Sequence, residues 1–270
     1  MVTYNYLSVE YSFQNRIATV TLRRPEVHNA FNAQVVQELL TAFTELSVDE
    51  RLHGVVLTGE GPSFSAGADL NSMKESSTFT EEQNLSDALR LADLLQTINT
   101  FPCPVVARVN GTAMGGGIGL IAACDIAISA ETARFAFSEV KLGIAPAVIS
   151  PYVIRKIGET NARVLFVTGE RFSAARAHAI GLVHSVVPPE HLDDAVGKAL
   201  QELLSSGPQA IRACKALALT VGQMSYENAR RYTAGTIAQL RVSEEGQEGL
   251  SAFLEKRKPR WVIPAESEQL

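Results

Sequence analysis

Apolar and polar positions alternate with a period of two at the start of the chain. Leu7, Val9, Tyr11 and Phe13 share one face, Gln14-Asn15 can turn, and Ile17 to Leu22 returns as a second run. This pattern predicts a β-hairpin, broken by Arg24-Pro25. The period then changes. Asn32 is placed to cap a helix in which Val35, Val36, Leu39, Leu40, Phe43 and Leu46 recur at helical spacing. Val55 to Thr58 continues an apolar run from Gly54 and reads as a buried strand. Ser72 to Thr80 is polar and irregular and predicts a mobile flap. Thr80-Glu81-Glu82-Gln83 forms a capping box ahead of Leu85, Ala88, Leu89, Ala92, Leu95 and Ile98, one apolar helical face that Thr100 to Pro104 ends.

From Val106 a strand-like run reaches the turn pair Asn110-Gly111. Gly115, Gly116, Gly117 and Gly119 follow, and an apolar helical run extends through Ala123. Asp125 to Ile128 and Ala133 to Ser138 read as strands, and Leu142 to Pro146 as a loop. Val148 to Ile157 is helical and stops at Gly158. Ala162 to Val167 is a helix closed by Gly169, and Ser173 caps Ala174 to Ile180, closed by Gly181. Leu182 to Val187 is the last predicted strand. Pro189 to Phe253 is nearly all helix, broken at Gly207-Pro208 and Gly222. Alternating strands and helices imply layered α/β architecture. The change to all-helix suggests a core over residues 1–200 and a C-terminal helical region over 201–270. No internal repeat or low-complexity tract is visible.

Composition narrows the class. The chain has 270 residues, 46% of them hydrophobic, which suits one large or two small globular domains. No apolar run approaches the roughly 18 residues that span a bilayer. Met1 to Phe13 has no basic region followed by an apolar one, so no secretory leader is expected. Cys103, Cys124 and Cys214 are scattered without metal-ligand spacing, which suits a reducing cytosol and predicts a cytoplasmic protein with no metal site. A net charge of -5 argues against general nucleic-acid binding.

The glycine cluster is the first candidate for chemistry. Glycines at a strand-to-helix junction let backbone approach a ligand, and the helix that starts there points free N–H groups outward. A second stretch, GEGPSFSAGADL over residues 59–70, again ends a strand and offers small residues, Ala66, Gly67 and Ala68. Two such turns can aim one N–H each at the same oxygen, the arrangement of an oxyanion hole. Other glycine chemistries fit less well. The Gly59, Gly115 and Gly117 spacings are poor dinucleotide fingerprints, none carries the lysine of a phosphate loop, and no GxSxG elbow is present.

In order and spacing, SFSAGADL, PVVARVNGTAMGGGIGL, CDIAIS and FSEVKLGIAPAVISPYVIRKIG resemble the enoyl-CoA hydratase/isomerase (crotonase) family over most of the chain. The resemblance implies a crotonase-like ββα spiral core with a C-terminal helical trimerisation region. It implies acyl-coenzyme A thioester substrates, with coenzyme A part of the substrate and no separate cofactor, and a homotrimer or dimer of trimers. It places the oxyanion donors at the Ala68 and Gly116 N–H groups and the acid/base at Glu139. It places Ala30, Ala66, Asp69, Leu70 and Gly115 along the substrate, with residues 72–80 over the acyl pocket and Asp125 in a structural role. His28 meets a coenzyme A phosphate or is merely solvated. Phe253 and Lys256 approach the coenzyme A of a neighbouring subunit or form a solvated helix end. One relative binds RNA through a lysine-rich helix; residues 84–99 here contain no lysine, so neither nucleic acid nor membrane is an expected partner.

One position departs from the family. Well-known hydratases carry a second glutamate two residues after the triple glycine, where this chain has Gly119. Either Glu139 works alone, or Gly119 clears room for a branched or charged acyl substituent; the two are compatible. GGGIGL, SEVKLGIAPAVISPYVIRKIGE and RVSEEGQEGLSAFLEKRKPRW resemble the branched-chain hydratases, among them the methylglutaconyl-CoA hydratases of leucine breakdown and the isohexenylglutaconyl-CoA hydratases of acyclic terpene breakdown. Their substrates carry a second carboxylate, for which Arg155 and Lys141 are candidate partners by nearness in sequence alone, or else solvated surface charges. A single-glutamate isomerase and a non-catalytic acyl-CoA-binding paralogue remain the alternatives.

Overall fold

The computed structural model describes residues 1–12 and 16–262, and beyond its first helix it is organised by a repeated unit of strand, shorter strand and helix. The chain begins with β1 (Val2–Thr3), β2 (Leu7–Ser12) and β3 (Ile17–Leu22), then a 3-10 turn at Pro25–Val27 and α1 (Ala33–Ser47). Three units follow. The first is β4 (Gly54–Gly59), β5 (Ser63–Ser65), α2 (Leu70–Ser76) and α3 (Glu81–Asn99). The second is β6 (Val105–Val109), β7 (Thr112–Met114) and α4 (Gly116–Ala123). The third is β8 (Ile126–Ala130), β9 (Arg134–Ala136), a 3-10 turn at Ser138–Leu142 and α5 (Ser150–Thr168). After β10 (Phe172–Ser173), α6 (Ala174–Ala179) and β11 (Ser185–Val187), the rest is helical: α7 (Leu192–Ser205), α8 (Pro208–Thr220), α9 (Tyr226–Val242) and α10 (Glu244–Leu254).

Among the described residues the strands form two sheets. The larger runs β1-β2-β3-β4-β6-β8-β11, antiparallel as far as β3 and parallel beyond it. The smaller runs β10-β9-β7-β5, with β5, β7 and β9 parallel. The long strands read as continuous apolar runs because both faces are covered. Val55, Leu57, Val105 and Ala107 face a core built with Phe43, Phe64, Leu95 and Phe137. Val56 and Val106 face a second cluster with Ile128, Leu192 and Val196, under α7. Residue 200 therefore falls inside a helix packed on the sheet.

Most predicted elements are present, with instructive exceptions. The hairpin pairs Leu7 with Leu22 and Val9 with Val20; its turn, Phe13 to Asn15, lies outside the described residues. The capping box of α3 forms, Thr80 Oγ1 accepting from Gln83 N–H and Gln83 Oε1 accepting from Thr80 N–H. Its apolar stripe is only half covered: Leu94, Leu95 and Ile98 are buried, whereas Leu85 is 59% and Leu89 53% exposed. The irregular flap expected at Ser72 to Thr80 instead begins as helix α2, because Asp69 Oδ1 accepts from Asn71 N–H and caps it. The two helices expected on either side of Gly158 abut there, at φ 73 and ψ 160.

The C-terminal helices are tied back to the core by polar contacts. Asp125 Oδ2 accepts from Val105 N–H and from Lys215 of α8, both at 2.7 Å, in keeping with its expected structural role. Glu245 accepts from the Gln209 and Ala210 N–H groups and caps α8 from α10. Trp261 packs near Gly249 and donates to Ser205 O at 3.1 Å. No helix among the described residues is long and apolar enough to cross a membrane.

Candidate active site

Two loops of consecutive units meet at the start of α4. Asn110 joins them: its Nδ2 donates to Gly61 O at 2.8 Å and its Oδ1 accepts from Gly59 N–H. Gly67 has φ 83, and a Cβ there would stand 2.8 Å from Met114 O and 3.6 Å from Gly116 N. The loop after β5 thus passes directly against the turn after β7, an approach only glycine allows. Gly115 has φ 45, and a Cβ there would stand 2.9 Å from Glu139 Oε1. Glu139 is thereby held across the mouth of α4.

The backbone around Ala68 is set by an isolated parallel bridge to Phe31. Phe31 N–H donates to Gly67 O at 2.6 Å, and Asp69 N–H donates to Phe31 O at 2.7 Å. These bonds use the peptide groups on either side, so the Ala68 N–H points the other way. Among the described residues it has no hydrogen-bond partner, and neither has the Gly116 N–H at the first turn of α4. Ala68 is exposed and Gly116 half-buried. Two unpaired donors therefore lie on adjoining loops, one reinforced by a helix N-terminus.

Glu139 lies in the 3-10 turn Ser138–Leu142, and Ile144 N–H donates to its carbonyl at 3.2 Å. Its carboxylate is half-buried, and Oε2 is a buried atom with no hydrogen-bond partner among the described residues. Burial pushes the Glu139 pKa above the ordinary glutamate value, with its own backbone N–H offsetting part of the shift. The cluster so far holds Gly115, Gly116, Ala68 and Glu139.

Gly119 does not leave an empty space. A Cβ there would collide with Ile149 Cγ2 and lie 3.7 Å from Leu95 Cδ1. Ile149 is buried at the start of α5 and packs on the α-carbon of Gly119. Ile149 therefore takes the space that a side chain at position 119, where a second glutamate was expected, would enter. The expectation that Gly119 clears room for an acyl substituent is corrected accordingly: the room is filled by Ile149.

The remaining expected residues divide. Ala30 and Ala66 are near the site, but the Ala30 carbonyl accepts from Arg24 and the Ala66 N–H donates to His28 O. Asp69 is buried and its carboxylate is engaged with Arg24 and Asn71. It therefore supports the loop from behind and leaves no free carboxylate oriented to a ligand. His28 is exposed, with Nδ1 3.0 Å from Ser63 Oγ. Leu70 is 81% exposed at the start of α2. Phe253 is 82% exposed near the end of α10 and Lys256 follows it at φ 56. No hydrogen bond or ion pair among the described residues ties either to the cluster. Lys141 and Arg155 are exposed and form no ion pair among the described residues. No group of three or more histidine, cysteine or acidic residues among the described residues could hold a metal.

Sequence reasoning missed Arg24 and Asn29. Asn29 is 1% exposed; its Nδ2 donates to Glu60 O and Ser63 O, and its Oδ1 accepts from Arg24 N–H. Arg24 and Asp69 form a buried ion pair at 2.9 Å. Burial alone would raise the Asp69 carboxyl, but the Asn71 N–H and the Arg24 guanidinium outweigh it and hold it below its usual range. Arg24-Pro25 reads as a strand breaker, and nothing local announces a partner so far along the chain.

A family model described as enoyl-CoA hydratase/isomerase matches residues 12–263. The chain is 36% identical over 248 residues to a putative enoyl-CoA hydratase of Thermus thermophilus, covering 92% of this chain and 98% of that one. Among solved structures, a putative enoyl-CoA hydratase/isomerase (crotonase) of Legionella pneumophila is 44% identical with a TM-score of 0.89, covering 96% of this chain and 100% of that one. An enoyl-CoA hydratase of Shewanella pealeana is 41% identical with a TM-score of 0.90, covering 95% and 96%.

Proposed function

The chain belongs to the enoyl-CoA hydratase/isomerase family, and from that premise we propose that it is a hydro-lyase adding water across the C2=C3 bond of a 3-substituted 2-enoyl-CoA of glutaconyl type. The observation that carries hydration is the Glu139 carboxylate, unpaired at Oε2 and held against Gly115 beside the two free N–H groups. The Ala68 and Gly116 N–H groups receive the thioester oxygen and stabilise the charge that builds on it; losing one such donor costs roughly 2.7–4 kcal/mol in a hydrolase. Glu139 takes a proton from water as the water oxygen bonds to C3, and the π electrons pass through C2 to the thioester oxygen as an enolate. The carbonyl then re-forms as C2 takes the proton back from Glu139. One water is consumed and the carboxylate is regenerated, so a single glutamate suffices as base and then acid.

The glutaconyl assignment rests on the branched-chain likeness of the GGGIGL and SEVKLG segments. Lys141 and Arg155, exposed and without an ion pair among the described residues, are the candidate partners of the second carboxylate by nearness in sequence to Glu139, the alternative being solvated surface charges. Coenzyme A belongs to the substrate and no further cofactor is part of the proposal. We further assign a homotrimer or dimer of trimers, and a cytoplasmic setting that suits the three free cysteines; the division into a 1–200 core and a 201–270 helical region is moved to the end of α7 at Ser205, because that helix packs on the sheet. The vacancy of a second carboxylate at Gly119 favours one other reaction, isomerisation, in which Glu139 carries a proton between C2 and C4.

The test is hydration of methylglutaconyl-CoA, an isohexenyl-substituted glutaconyl-CoA and crotonyl-CoA, followed by loss of enoyl thioester absorbance. Preference for either branched diacid is expected. Preference for crotonyl-CoA would replace the glutaconyl assignment with a generalist hydratase. Inertness toward all three, with double-bond migration in a 3-enoyl-CoA, would replace hydration with isomerisation.

A further inference from the structure

We propose that Arg24 is the positioning residue of the thioester site, clamping both strands of the Phe31–Ala68 bridge and so fixing the direction of the Ala68 N–H. The proposal rests on the reading of Ala68 and Gly116 as oxyanion donors. Its basis is a pair of contacts from one planar group. Nη1 donates to Ala30 O at 2.7 Å, and Nη2 meets Asp69 Oδ2 at 2.9 Å. Ala30 precedes Phe31 and Asp69 follows Ala68, so the guanidinium spans the bridge from one strand to the other.

The bridge is short, and the guanidinium adds one bond to each of its two strands. The bridge is also isolated, with one hydrogen bond on each side of Ala68. The chain enters it through His28 and Asn29, both left-handed at φ 53 and φ 55. Consecutive non-glycine residues in that region persist only where surrounding bonds over-determine them. Arg24 supplies those bonds on both faces of the turn. Its main-chain N–H donates to Asn29 Oδ1 at 2.9 Å and its carbonyl accepts from Asn29 N–H at 2.8 Å, two bonds that any residue at this position would keep and that leave the guanidinium free for Ala30 and Asp69. Asn29 O in turn accepts from Ser65 Oγ, which accepts from Gly67 N–H. The path from Arg24 to the Ala68 loop is therefore continuous in both directions.

The guanidinium is withdrawn from substrate. Its side chain is about nine-tenths buried, it lies 4.6 Å from the Tyr6 ring centroid, and Nε is buried without a hydrogen-bond partner among the described residues. Arg24 touches no reacting atom by this geometry; it acts through Asp69 and Ala30. Lysine cannot replace it, because a single ammonium cannot present two parallel donors in one plane.

A thioester with a push–pull chromophore, 4-(dimethylamino)cinnamoyl-CoA, reads the donor direction, since its absorbance moves to longer wavelength as its carbonyl oxygen accepts hydrogen bonds. The probe is bound to the full chain and to the Arg24→Gln, Arg24→Lys and Asp69→Asn variants, with melting temperature and kinetics measured for each. Arg24→Gln should bind the probe within about threefold of wild type but lose most of the red shift. Its kcat should fall roughly tenfold to a hundredfold with KM nearly unchanged, approaching the loss of one donor. Asp69→Asn keeps the shape and should retain an intermediate red shift if Arg24→Gln fails to fold. Full red shift and full kcat in Asp69→Asn and in either Arg24 variant would overturn the proposal. So would parallel losses of melting temperature and affinity with the red shift of the bound probe intact. A wild-type protein that binds the probe with no red shift would instead remove the oxyanion reading beneath it.

Discussion

Glu139 is a carboxylate kept at a cost. One of its oxygens is buried with no hydrogen-bond partner among the described residues, and burial raises its pKa above that of an unfolded glutamate. The folded protein therefore binds this proton more tightly than the unfolded chain, so the contribution to stability falls as pH rises from the ordinary glutamate range through the raised value. Glu139→Gln should accordingly melt higher than wild type at pH 7–8, by a few degrees for about 1 kcal/mol once solvent screening is allowed for. That gap should narrow at pH 4, as differential scanning fluorimetry across pH would record. The same variant should lose roughly 10²–10⁴-fold in turnover while still binding acyl-CoA. The wild-type kcat/KM profile should have an acid limb above the ordinary glutamate value, because catalysis needs the ionised form. Unchanged turnover in Glu139→Gln would remove this residue from the chemistry.

At the scale of elements, α4 and α5 are fitted to each other through one missing side chain. Ile149 packs on Gly119, so the two positions are energetically coupled. Gly119→Ala should cost about 1–3 kcal/mol through overpacking, and Ile149→Ala about 2–5 kcal/mol through lost burial. The double variant should cost less than their sum, with a coupling of about 0.5–3 kcal/mol in urea melts. Strict additivity would mean the two residues do not share the space. This fit also marks where sequence reading stopped. The long strands, the α3 capping box and the break at Gly158 were legible because each is written in local spacing; the short strands β1, β5, β7 and β10 were not, and the pairing of the two glycine loops came from the family resemblance, since Gly67 and Gly116 are far apart in the chain. Helix α2 was not, because the small and polar residues of GADLNSM also suit a ligand loop. Ile149 and Arg24 were not, because each gains its role from a partner distant in the chain: Gly119 for one, Asp69 for the other.

At the scale of the molecule, apolar surface remains uncovered on one chain. Leu85 and Leu89 continue the buried stripe of α3 into solvent, and Tyr226, Phe253 and Leu254 are largely exposed on the C-terminal helices. Stripes of this kind mark association surfaces. Light scattering on the eluted protein should give three or six times the 29.1 kDa chain mass, and Leu85→Glu with Leu89→Glu should lower it. A wild-type monomer would overturn the trimer proposal and leave those leucines as free surface.

The chain's one tryptophan is Trp261, hydrogen-bonded to Ser205 O and lying against Gly249. No strand of either sheet carries an indole. Tryptophan emission, excited at wavelengths where the tyrosines do not absorb, is therefore an optical label on the C-terminal helices, whereas circular dichroism reads the whole molecule. Superimposable denaturation curves from the two signals mean that collar and core come apart as one cooperative body; an earlier optical transition means that the helices undock first.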